Sequence, residues 1–209
     1  MAILAPPRPS DGNGTRSTSR LWHESEVVVQ QGEERGRRAG IVDRMMGAAR
    51  LQVSTFEDVE ADRTATRQAM FVVIAVAIAT GIGSIEGGVP GLLAGVAFAL
   101  VGWATWAWIT YWVGTRLLAT PQTHADWGQL ARALAFAQSP GVFKVLGGIP
   151  GIGPPIFLVA SIWQLVAMVT AVRQALDYES TWRAVGVVVL AAIPYVALLS
   201  FLARVLVPD

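Results

Sequence analysis

Beyond Arg67 the chain runs for 142 residues with only five arginines, one lysine and five acidic side chains. A domain of that size cannot be solvated by water with so few charges, so the sequence predicts that lipid is its solvent. The first 67 residues differ sharply. They hold ten of the fifteen arginines and ten acids, which cancel. Across the whole chain 53% of residues are apolar and 15% charged, against about 25% charged in a soluble domain.

The apolar runs predict a polytopic bundle, all-α, with five spans at about 68–85, 90–115, 127–149, 154–172 and 184–202. Each exceeds or approaches the ~20 residues that cross a ~30 Å hydrocarbon core. The third is the difficult one. It carries Arg132, Gln138, Pro140-Gly141 and Lys144. Its two cations stand near its ends, where long side chains can snorkel to opposite interfaces. The alternative is four spans plus a re-entrant hairpin bent at Pro140-Gly141. Loop charge favours five, because Arg116, Arg173 and Arg183 then share the cytoplasmic side with the N-terminus.

Residues 1–40 are rich in Pro, Gly, Ser, Arg and Glu and predict a disordered tail. Within 41–62, Val42, Met45, Met46, Ala49, Val53, Phe56 and Val59 recur at three- and four-residue steps, which predicts one amphipathic juxtamembrane helix ahead of a transmembrane domain at 63–209. Its second half is acidic: Glu57, Asp58, Glu60 and Asp62, beside Phe56, form a candidate partner-binding surface. The bland reading of those acids is a solvated face with a helix cap near Asp62. Gly91 and Gly95 form a small-xxx-small pair suited to helix packing. Gln138, Pro140 and Gln164 are candidate structural positions inside spans. Trp108, Tyr111 and Trp112 read as interfacial anchors, while Trp103 and Trp106 lie deeper and need partners for their indole N–H groups.

Catalytic parts are few. There is no cysteine and there are two isolated histidines, His23 and His124, without zinc-site spacing. No nucleophile elbow or phosphate loop occurs. A single acidic run without base, nucleophile or metal partner is a poor active site. The sequence therefore predicts a non-enzymatic protein without metal or cofactor. Near-zero net charge speaks against nucleic acid as a partner. The expected partners are membrane lipids and another membrane protein or a second copy of the chain. A small transporter or channel is the alternative, resting on the proline-broken third segment and the intramembrane glutamines.

The run ARLQVSTFEDVEADRTATRQA at 49–69, DWGQLARALAFAQSPGVFKVLGGIPGIG at 126–153 and IWQLVAMVTAVRQALDYESTWRAV at 162–185 resemble bacterial members of the Yip family, the Ypt/Rab-interacting five-span membrane proteins. The resemblance covers roughly 41–206. It implies five helices, a cytoplasmic N-terminus and residence in a bacterial inner membrane. For eukaryotic members it implies small-GTPase binding and membrane trafficking, but FEDVEAD at 56–62 departs from their Asp-Leu-Tyr-Gly-Pro signature, so that role does not transfer.

Overall fold

The computed structural model describes residues 40–83, 88–123 and 125–206, with the side chains of 83–92, 94, 95, 199 and 201–206 outside that description. The expected tail and both histidines thus lie outside it. Every regular element among the described residues is helical. In chain order they are α1 (Ile41–Ala49), α2 (Val53–Ala61), a 3-10 turn (Arg63–Ala65), α3 (Thr66–Gly83), α4 (Gly88–Trp112), a π-helical turn (Val113–Leu117), α5 (Trp127–Ala137), a 3-10 segment (Ser139–Gly148), α6 (Gly153–Ala175) and α7 (Thr181–Leu206). Four of these helices, α3, α4, α6 and α7, are long and apolar enough to cross a membrane.

Their packing is that of helices in lipid. Small residues face inward: Ala133, Ala137, Ala167, Ala171, Ala175, Ala184 and Ala191 are fully buried. Large apolar residues face outward, including Phe71, Val101, Leu158, Val159 and Ile193, each more than 60% exposed. Between helices in hydrocarbon there is no hydrophobic drive to bury large side chains, so close backbone approach through alanine and glycine holds the bundle instead.

The third segment departs from the expected uninterrupted span. Asp126 caps α5 reciprocally with Gln129: its Oδ1 accepts from the Gln129 amide at 2.8 Å, and Gln129 Oε1 accepts from its amide at 2.6 Å. The α-helix stops at Ala137, because Pro140 can donate no amide and its ring excludes the preceding turn. The chain then tightens into the 3-10 segment, which packs along α6: Gln138 bonds Gln164, Phe143 stacks on Trp163 and Lys144 sits over the Phe157 ring. Eleven α-helical residues rise about 16 Å. The ten 3-10 residues add about 20 Å. At the far end of that pair, Thr123 Oγ1 donates to the Leu176 carbonyl at 3.3 Å, and the Tyr178 hydroxyl reaches the Gly114 and Leu118 carbonyls at 2.9 and 3.0 Å. The loops after α4 and after α6 therefore lie together at one end of the bundle.

The single amphipathic helix expected over 41–62 is two helices. Leu51, at φ 59°, takes the left-handed conformation and ends α1: its amide donates to the Ala48 carbonyl at 3.0 Å, and the Gln52 amide donates to the Gly47 carbonyl at 3.0 Å. Gly47 lets the two helices meet, since a Cβ there would stand 2.1 Å from Thr55 Oγ1. The apolar period continues through the break, which is why the sequence alone reads as one helix.

Candidate functional site

The α1–α2 hairpin is fastened to the bundle by three donors, each meeting the hairpin where its backbone or its acids need one. Arg44, in α1, is 97% buried. Its Nε donates to Asp58 Oδ2 at 2.9 Å, its Nη2 to Asp62 Oδ2 at 2.7 Å and its Nη1 to Gln68 Oε1 at 3.0 Å. One planar guanidinium thus joins α1, α2 and the start of α3, a task suited to its rigid fork of donors. Asp62 also accepts from the Thr64 hydroxyl at 2.6 Å and the Thr64 amide at 2.8 Å, capping the 3-10 turn. The Thr64 hydroxyl and then Arg44 hold the Asp62 carboxyl down at about 2.

The second donor is Arg132 of α5. Expected to snorkel to the interface, it instead lies buried, with Nε donating to the Val59 carbonyl at 2.9 Å and Nη2 to the Glu60 carbonyl. Those are orphan acceptors of the last turn of α2, where a cation also meets the negative end of the helix dipole. The third is Trp163 of α6, whose indole N–H donates to the Ala49 carbonyl, the last of α1, at 2.7 Å. Neither Arg44 nor Trp163 is singled out by sequence, because their partners lie from 14 to 114 residues away.

The acidic run is divided by this geometry. Asp58 and Asp62 belong to the Arg44 clamp. Phe56, expected on a partner-binding surface, is fully buried in the core with Val59. Glu57 is exposed. Glu60 faces another way, toward Asp177 after α6 and Asp126 before α5. Burial, then repulsion from Asp177, raises its carboxyl to about 7 against the pull of Arg132, with Glu57 and Asp126 adding smaller repulsion. Among the described residues no group of three or more His, Asp or Glu side chains is placed to hold a metal.

Because the native pKa of Glu60 lies above its ordinary 4.5, the folded state binds the extra proton between about pH 4.5 and 7. Stability from this group is complete below the lower value and is lost as pH rises through about 7. Half-solvated, the group should account for on the order of 1–2 kcal/mol. Unfolding of the detergent-solubilised protein from pH 5 to 8 should show that decline, and Glu60→Gln should flatten it.

Of the other expected positions, Trp108 and Trp112 are 59% and 47% exposed on the outer face of α4. Tyr111 turns inward and meets the Trp127 ring edge-on at 5.8 Å. Gln138 and Gln164 bond each other across the bundle, and Pro140 is fully buried. Gly91 and Gly95 fall within α4, but what they pack against lies outside the described residues.

Comparison with known families finds a match to the model described as the Yip1 domain over residues 51–202. No curated protein and no solved structure matches the chain.

Proposed function

The chain belongs to the Yip1-domain family, and from that footing we propose that it is a non-enzymatic, multi-pass membrane protein whose α1–α2 hairpin docks a membrane protein partner or a second copy of the chain. The observation that carries this reading is the rigid mounting of the hairpin. Arg44 within the hairpin and Arg132 and Trp163 from two bundle helices fix it, while its outer side leaves Val42, Met46 and Val53 at 61%, 45% and 41% exposure beside the exposed Glu57. A mere tether would not need such fastening, and a held apolar surface with a charged rim suits recognition.

We further propose five crossings, with the third made by α5 and the 3-10 segment. This places the hairpin and the loops bearing Arg116, Arg173 and Arg183 on the cytoplasmic side, in agreement with the positive-inside rule. A bacterial inner membrane is the location that the Arg-rich, Lys-poor composition favours.

Extraction in mild detergent tests the docking role. The wild-type protein should carry a reproducible partner or elute as an oligomer, and Val42→Ser with Glu57→Arg should lose it without changing helical content. A monomer without companion under several detergents contradicts the reading. The second reading, a small transporter or channel, draws on a cavity walled in part by Gln138 and Gln164. It requires a solute flux in reconstituted liposomes that Gln138→Ala alters.

A further inference from the structure

An open cavity of about 360 Å³ is set between the helices, walled by residues of α3, α4, the third segment, α6 and α7. Its polar lining includes Trp103, Trp106, Gln138, Lys144, Gln164 and Tyr195, and among the described residues no acidic side chain lines it. Lys144 is the only lysine in the sequence. It is half-buried, with its ammonium 5.2 Å from the Phe157 ring centroid and no carboxylate paired to it among the described residues. The indole Nε1 atoms of Trp103 and Trp106 are buried without a hydrogen-bond partner among the described residues, and so is Gln164 Oε1. Trp106 is 92% buried and its ring is held edge-on against Tyr195 at 5.2 Å, so it is not free to swing toward water.

Two indole donors buried without a partner are stabilised by an occupant that supplies acceptors. The Lys144 ammonium on the wall favours negative charge in that occupant. The remainder of the wall is apolar, with Val73, Val76, Leu165 and Met168 among its members. We propose that this cavity binds an oxyanion group, phosphate or carboxylate, with Lys144 as its counter-charge and the Trp103 and Trp106 indoles as donors. The apolar remainder favours an anionic amphiphile, whose headgroup would enter the cavity while its chains meet lipid. Free phosphate shares the same chemistry.

Binding measured on the full chain in a neutral detergent separates these sources. The probes are dihexanoyl phosphatidic acid, inorganic phosphate, and the uncharged dihexanoylglycerol. Saturable binding of phosphatidic acid alone supports a membrane-derived ligand. Binding of inorganic phosphate as well supports one from the aqueous phase. Lys144→Met should weaken binding by about tenfold or more, Lys144→Arg should stay within about threefold, and Trp106→Phe should weaken it about three- to tenfold. If Lys144→Met does not fold, Trp106→Phe, which keeps the ring and loses the donor, carries the test. No saturable binding of either anion, equal binding of dihexanoylglycerol, or unchanged affinity in both folded variants would overturn the proposal.

Discussion

Replacing Arg44 with methionine is expected to destabilise the detergent-solubilised protein by about 2–4 kcal/mol, the largest effect of any single substitution in the hairpin. Methionine keeps the volume of the stem but removes a charge that satisfies Asp58, Asp62 and Gln68 together. Breaking a fully buried pair from one side costs about 3–5 kcal/mol. The expectation here is lower, because the Asp58 side chain is 48% exposed and can return to water. Arg44→Lys should recover only part of the loss, since a single ammonium cannot span three separated acceptors. The effect should also depend on pH with a defined sign. Asp62 is depressed from 3.8 to about 2, so its contribution is present above 3.8 and lost as pH falls through about 2. The gap between wild type and Arg44→Met should persist from pH 7 to about 4 and narrow below that. Thermal or denaturant unfolding measures it, and amide exchange over 41–62 should accelerate in the variant.

Arg132→Leu is the second large effect, about 2–3 kcal/mol. It removes two charge-assisted bonds and leaves the Val59 and Glu60 carbonyls without their donor at a buried helix end. It carries a second signature. Arg132 is the cation that opposes the upward shift of Glu60, so its loss should push the Glu60 carboxyl above about 7. The pH at which stability declines should move upward in Arg132→Leu, a displacement that a simple packing defect would not produce. Lost stability without that displacement would mean that Arg132 acts on the hairpin through packing alone.

The parts of the fold that sequence reveals are those governed by local apolar content. Runs of uncharged residues place α3, α4, α6 and α7 to within a few residues, because a helix in lipid must be apolar along its whole length. The third segment is harder. Its charges suggest snorkelling, yet Arg132 turns to the α2 carbonyls and Lys144 to the Phe157 ring, partners on other elements that local hydropathy does not reveal. The left-handed Leu51 that splits α1 from α2 has no reliable signal, because glycine is the residue expected at such a position. Gly47 four residues earlier was the available hint. The acidic cluster is plain in sequence, but its division between Arg44 and the Glu60–Asp177 side depends on contacts across 14 residues or more. The deep tryptophans were expected to need partners, and their indoles instead border a cavity.

The proposed topology has the hairpin and the loops after α4 and α6 on the cytoplasmic side, with five crossings. Single cysteines at Ser180 and Asp209, in a chain without any native cysteine, measure this in intact cells. Ser180 stands between α6 and α7, at the end of the bundle that holds the hairpin. An impermeant thiol reagent should label position 209 and spare position 180 until the membrane is opened. Labelling of position 180 with protection of position 209 would contradict the proposed topology, either because the 127–148 segment does not cross or because the five-crossing bundle is inverted.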